Sequence, residues 1–235
     1  MTKKIAIVFG GSRGIGKACV DALAADGFDV ALTYTSTAPE TAGSTRVYKA
    51  DITNPTDVAK VIADASKDFG GAPTCIVANA GINVPPAPMA NFDPENFRRL
   101  VEVNIVGAFN VLQEAAKSVA DGGSIIALTT SLVRFAAPGL GPYSATKAAV
   151  ECLVRSMSKE LAGRGVRVNA VAPGPVDTDL FRSGKDEAAI QRSAGMSPLN
   201  RVGEPEEVGN VVAFLASGKS SWIDGQIVQT NGGMV

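Results

Sequence analysis

The 235-residue chain contains no histidine. That excludes a Ser-His-Asp triad and a Cys-His dyad, and a zinc site of the common histidine-containing types. Acid–base chemistry near neutral pH must then use another group whose pKa its surroundings have shifted. Long apolar runs are missing too: none approaches the roughly 18 residues that a membrane span needs, so no contact with a membrane is expected. The opening "MTKK" leads directly into a short strand-like run, without the longer apolar region and small-residue cleavage site of a secretory leader. There is no basic stripe or aromatic-interleaved basic segment, and the net charge is −1 with a pI near 5.6. Nucleic acid is therefore not an expected partner. The three cysteines, Cys19, Cys75 and Cys152, are widely spaced and form no CxxC pattern. They read as reduced, mostly buried thiols of a cytoplasmic protein. No Pro/Ser-rich linker, repeat or low-complexity tract divides the chain, so residues 1–235 are expected to form one domain.

What is present is a regular alternation. Apolar, β-branched runs read as strands: Lys3–Phe9, "FDVALTY", "TRVYKAD", "TCIVANAG", "GSIIALTTS", "VRVNAVAPG" and "QIVQTNGG". Helical patterns fall between most of them. Ile15–Asp26 is stopped by Gly27, and "TDVAKVIADASKDFG" has Thr53 or Asn54 as its cap. A long helix starts at Asp93-Pro94 and runs to about Ala120. Tyr143–Ala162 and "EPEEVGNVVAFLAS" are the last two helices. In the long helix Val101, Ile105, Ala108 and Leu112 form a stripe that is assigned to the core. Strands apolar throughout, each followed by a helix, predict an α/β domain with a doubly wound, parallel, seven-stranded sheet covered on both faces. Ligands in such folds bind beyond the carboxyl ends of the strands. The informative positions are therefore Gly10, Asp51, Asn79, Thr130-Ser131 and Pro173-Gly174. Residues 175–203 read as loop or short helix that covers the substrate.

"FGGSRGIG", Phe9–Gly16, joins the first strand to the first helix. Its glycines permit a tight turn and close backbone approach, and a helix N-terminus offers free N–H groups to a phosphate. Ser12 and Arg13 lie inside the loop. An NAD site usually carries an acidic residue at the end of the second strand for the ribose 2'-hydroxyl. Here that region reads "LTYTSTAPE", and its first acid is Glu40. With no carboxylate to repel it, a 2'-phosphate could sit between Arg13 and Ser36, which favours NADP(H) over NAD(H). Tyr143 and Lys147 are four residues apart at the start of a helix and share a face. An ammonium beside a phenol favours the phenolate, so Lys147 is expected to lower the tyrosine pKa from about 10.

Taken together, these residues resemble the short-chain dehydrogenase/reductase family from end to end. The matching residues are Gly10, Gly14 and Gly16, Asp51-Ile52, "ANAG" (Ala78–Gly81) and Asn104 in "VEVNIVGAF". They continue with Thr130-Ser131, Tyr143/Lys147, "VAPGPVDTD" and the closing "NGG". "VFGGSRGIG", "VNAVAPG" and "GQIVQTNGG" look most like the 3-oxoacyl-[acyl-carrier-protein] reductase branch. The resemblance implies that Tyr143 donates the proton to a carbonyl oxygen. Lys147 would lower its pKa and bind the nicotinamide ribose, a hydroxyl would orient the carbonyl, and Asn104 would hold a water. It implies a cofactor site of Gly10, Ser12, Arg13, Gly14, Ile15, Gly16 and Ser36, with Asp51 and Ile52 at the adenine. Asn79, Ala80 and Gly81 would lie along the cofactor, with Tyr143, Lys147, Pro173 and Gly174, and Val176 and Thr178 would hold the carboxamide. No metal is implied.

The implied activity is NADPH-dependent reduction of a small-molecule or carrier-bound carbonyl, such as a 3-oxoacyl thioester, in a homotetramer or homodimer. The alternatives are an NADP-linked alcohol, polyol or sugar dehydrogenase, and a non-catalytic dinucleotide sensor. Arg134, Arg182 and Arg192 could meet an acidic carrier.

Three departures from the family pattern stand out. Phe9 replaces the usual Thr and Ala78 the frequent Asn, a pair expected to make an apolar contact. Sixteen residues separate Tyr34 from Asp51, so the helix between the second and third strands should be short or missing. The commoner spacing from Tyr143 lands on Thr130, whereas residue type favours Ser131 as the catalytic hydroxyl.

Overall fold

In the computed structural model, which describes residues 3–40 and 43–235, seven strands form one sheet in the order β3-β2-β1-β4-β5-β6-β7. The strands are β1 (Ile5–Phe9), β2 (Asp29–Tyr34), β3 (Arg46–Lys49), β4 (Cys75–Ala78), β5 (Ser124–Leu128), β6 (Arg167–Pro173) and β7 (Ile227–Thr230). Every pairing is parallel. The chain winds outward one way through β1–β3 and the other way through β4–β7. The switch point lies between β1 and β4, where a crevice opens at the strands' carboxyl ends.

Helices α1 (Gly14–Ala25) and α9 (Pro205–Ala216) cover one face. Helices α2 (Pro55–Phe69), α4 (Ala108–Ser118) and α6 (Gly141–Leu161) cover the other. Asn54 is the cap of α2, accepting from Thr56 N–H, with Pro55 at the first helical position and left-handed Gly70 ending the helix. The expected helix from Asp93 begins as predicted, with Asp93 accepting from Glu95 N–H. It is not continuous, however. After α3 (Pro94–Val101) one turn of π-helix, Glu102–Gly107, intervenes before α4. The extra residue in that turn rotates the apolar stripe: Ala108 and Leu112 are in the core, while Val101 and Ile105 are only partly covered. Residues 175–203 contain α7 (Asp179–Arg182) and α8 (Glu187–Ala194), and α5 (Leu132–Phe135) precedes α6.

Among the described residues no helix lies between Tyr34 and Arg46, and none is long and apolar enough to cross a membrane. Cys19 and Cys75 are buried free thiols, held up at about 12 by burial, while Cys152 is exposed.

Phe9 and Ala78 are direct partners in the β1–β4 register and belong to the same core cluster. A large ring at the end of one strand is matched by a methyl on its neighbour, so the two departures from the family pattern fill one volume. Phe9 is wholly buried. Phe9→Ala is expected to destabilise the fold by about 3–5 kcal/mol, read as the change in urea unfolding free energy.

Candidate active site

The loop after β1 is built around Thr33 and Asn79. Gly10 N–H donates to Thr33 Oγ1 (2.9 Å), and Asn79 Nδ2 donates to Gly10 O (2.7 Å). Gly10 has φ +79°, and a Cβ there would lie 2.8 Å from Ala80 Cα. A Cβ on Gly16 would collide with Gly10 O. The turn is thus packed tightly against β4, and both positions require glycine. Arg13 is the cap residue of α1, yet no side chain caps that helix and its first turn holds no acid. Its leading N–H groups are free to bind an anion.

They open onto a cleft of about 510 Å³ at the switch point. Its walls include Gly10, Ser12, Arg13, Gly14, Ile15, Gly16, Asp51, Ile52, Asn79, Ala80, Gly81, Tyr143, Lys147, Pro173 and Thr178. Asp51 and Ile52 are held there from the far face, where Asn110 Nδ2 donates to Ile52 O (2.9 Å) and Thr53 O (3.2 Å). Asn104 sits in the π turn and is wholly buried. Its Oδ1 accepts from Ile82 N–H (2.8 Å), while Nδ2 donates to Ile82 O (2.9 Å) and Thr146 Oγ1 (3.2 Å). Thr146 in turn donates to Tyr143 O (2.7 Å). Asn104 therefore ties the loop after β4 to the start of α6. A π turn presents a side chain to a site in this way by displacing one residue from the regular ladder.

Tyr143 and Lys147 both line the cleft, but they do not pair with each other. Lys147 Nζ, buried, donates to Leu128 O (2.9 Å) at the end of β5. The Tyr143 hydroxyl has no hydrogen-bond partner among the described residues. Burial dominates both groups: it raises the phenol to about 12 and lowers the ammonium to about 8. The expected lowering of the tyrosine by its neighbour is not seen here, because desolvation of the charged forms outweighs it.

Several expected side chains stand elsewhere. Ser36 is exposed and outside the cleft walls, and Thr35 lines the cleft instead. The Val176 side chain is buried beside a second cavity of about 260 Å³, in a parallel bridge to Gly203. Gly174 lies at the end of β7, its N–H donating to Thr230 O (3.1 Å). Arg182 is paired with Asp177 (2.6 Å) at the surface.

The two hydroxyls after β5 separate clearly. Ser131 is fully buried and bonded among Ala172 O, Gln229 and Asn231. Thr130 Oγ1 only accepts, from Leu132 N–H (3.3 Å), and its hydroxyl proton has no acceptor. Neither residue is among the cleft walls, and of the two it is Thr130 whose hydroxyl proton is uncommitted.

Sequence reading missed Thr129 and Arg99 as cleft walls, and Asn110 behind them. Arg99 had a usable signal: it stands four residues before Val103 on the same helical face, and both line the cleft.

Known proteins are similar to this chain over nearly its whole length. The family model described as "Enoyl-(Acyl carrier protein) reductase" matches residues 10–235. A short-chain type dehydrogenase/reductase of Picea abies is 39% identical, covering 99% of this chain and 92% of that protein. An NADPH-dependent aldehyde reductase-like chloroplastic protein of Arabidopsis thaliana is also 39% identical, covering 99% and 94%. A 3-oxoacyl-[acyl-carrier-protein] reductase of Staphylococcus epidermidis is 34% identical, covering 98% of each chain. Among solved structures, a blue fluorescent protein from a metagenomic library, in complex with NADPH, superposes with a TM-score of 0.88 at 31% identity, covering 99% and 98%. The chain belongs to the short-chain dehydrogenase/reductase family.

Burying Lys147 has a consequence for stability. The unfolded lysine keeps its proton up to 10.5, whereas the folded one releases it above about 8. Between those values the unfolded chain binds more protons, so stability rises with pH, and below about 8 the whole penalty is present. Lys147→Met is therefore expected to raise the thermal unfolding midpoint at pH 7, by the equivalent of up to about 3 kcal/mol. The gain should shrink as the pH approaches 10.5; a gain independent of pH would contradict the assignment.

Proposed function

We propose that this oxidoreductase is an NADPH-dependent carbonyl reductase in which Tyr143 gives the proton and Thr130 orients the substrate oxygen. The observation that carries the proposal is the Tyr143 phenol. It lines the cleft, is unpartnered by any described residue, and holds its proton up to about 12. A group that stays protonated at neutral pH suits donation to a carbonyl oxygen. The same unpartnered phenol argues against a non-catalytic sensor.

The chain's residues fit the cofactor. The uncapped start of α1 suits a diphosphate, and the end of β2 offers Thr33, Tyr34 and Thr35 with no acid. Arg13 is the natural partner of a 2'-phosphate, with Thr35 beside it in place of Ser36. When bound, the nicotinamide supplies the hydride to the carbonyl carbon. The Thr130 hydroxyl donates a hydrogen bond to the carbonyl oxygen. Tyr143 transfers its phenolic proton to that oxygen, giving the alcohol and leaving a phenolate. Lys147, an ammonium below about 8, stabilises that phenolate electrostatically. Asn104 holds the wall of the site through Ile82 and Thr146.

For the substrate we infer a ketone or aldehyde. Aldehydes are supported by the Arabidopsis relative, and 3-oxoacyl thioesters by the Staphylococcus one. Self-association as a dimer or tetramer is supported by Phe97, Val106 and Phe109, exposed along α3, the π turn and α4.

Tyr143→Phe is expected to lower kcat for NADPH-dependent reduction at least about 100-fold, with the NADPH Kd unchanged in a fluorescence titration. Wild-type protein that oxidises no NADPH with any member of a panel of ketones, aldehydes and acetoacetyl thioesters would overturn the proposal. Arg13→Ala is expected to weaken NADPH about 10-fold while leaving NADH unaffected. The kcat/KM for reduction is expected to fall as the pH rises through about 8, where Lys147 loses its charge.

A further inference from the structure

Ser131 joins the ends of three strands. Its N–H donates to Pro173 O (2.8 Å), its hydroxyl lies 2.8 Å from both Ala172 O and Gln229 Oε1, and Asn231 Nδ2 donates to it at 2.9 Å. Asn231 is fixed on its other side, where Oδ1 accepts from Gly233 N–H (3.0 Å) and Met234 N–H (3.1 Å). The remaining amide, Gln229, can meet the serine in either orientation. The hydroxyl has one proton for two acceptors, while Gln229 Nε2 is buried with no partner. Turning the Gln229 amide end for end lets Nε2 donate to Ser131 Oγ. The serine then donates to Ala172 O and accepts twice, while Gln229 Oε1 takes the buried position that has no partner.

This junction lies immediately beside Thr130. On the other side of Thr130, Thr129 N–H donates to Val171 O (2.8 Å). Thr130 is thus suspended between two pinned residues, with its hydroxyl proton free. We propose that Ser131, Gln229 and Asn231 are positioning residues that aim the Thr130 hydroxyl, so that the end of the chain, "QTNGG", sets the geometry of the carbonyl site. The proposal rests on Thr130 being the carbonyl-orienting group. A misplacement on the order of 1 Å at such a site can lower a rate about 100-fold, so small relaxations here have large readouts.

The test measures kcat, KM and NADPH Kd for Thr130→Ala, Ser131→Ala and the double variant, well below their unfolding midpoints. Thr130→Ala is expected to lower kcat about 100-fold and Ser131→Ala about 10-fold, with NADPH Kd within about twofold of wild type. The Ser131 change should add no further loss when Thr130 is already alanine, because its effect runs through that hydroxyl. Asn231→Asp keeps the acceptor for Gly233 and Met234 and replaces the Nδ2 donor by a carboxylate oxygen, so it serves if Ser131→Ala does not fold. It should lower kcat in the wild-type background and leave it unchanged in the Thr130→Ala background.

Losses that multiply across the two backgrounds would overturn the positioning role, as would full kcat in both the Ser131 and Asn231 variants. Full kcat in Thr130→Ala, with a loss in Ser131→Ala, would instead overturn the Thr130 assignment and make Ser131 the carbonyl ligand.

Discussion

The Lys147 ammonium is held beneath the carboxyl end of β5, donating to Leu128 O with almost no exposure to water. Removing such a charge from solvent is costly, and the surrounding structure is arranged to tolerate it. Gly81 leaves room: a Cβ there would lie 3.0 Å from Asn104 Oδ1 and 3.3 Å from the ammonium. Asn104 must then be brought in from the side, which the π turn does, and its bonds to Ile82 and Thr146 fix the two walls on which Asn79–Gly81 and Tyr143 stand. With no histidine in the chain, a buried phenol and a buried ammonium are the groups left to handle a proton. Their shifted pKa values follow from the same burial.

Much of this was legible in the sequence, for physical reasons that differ by element. The strands and their parallel arrangement follow from apolar runs separated by helices, as a covered parallel sheet requires. Tyr143 and Lys147 could be placed on one face because helical spacing is a local property. The π turn at Asn104 could not be read, because one inserted residue leaves composition and apolar rhythm nearly unchanged. The same holds for the hydroxyls at 130 and 131. Adjacent residues at a strand end point in different directions, and which one is used up depends on Gln229 and Asn231, a hundred positions further on. The net shift of the Tyr143 phenol was misjudged because spacing reports proximity but not desolvation.

The adenine side of the cleft shows what a deletion does to a doubly wound sheet. Parallel neighbours need a crossover, usually a helix, and β2 and β3 are joined here by residues 35–45 with no helix among those described. Thr35, just after β2, and Arg99, on α3, are both among the cleft walls. The end of β2 brings no carboxylate to the cleft, whose charged walls include Arg13, Arg99 and Asp51.

Three buried polar junctions hold the loops of the cleft: Asn110 with Ile52, Asn104 with Ile82, and Ser131 with Asn231. Each joins segments far apart in the chain, and in each a side chain serves a loop that no strand ladder or helix would satisfy. A buried donor or acceptor left unpaired costs its full desolvation, about 1–3 kcal/mol, so each junction excludes loop conformations that would break it. Apolar packing tolerates small shifts in register and angle, whereas these bonds do not. The core of Phe9, Ala78 and their neighbours therefore accounts for why the sheet forms, and the three amide and hydroxyl junctions account for why its loops meet at a defined geometry.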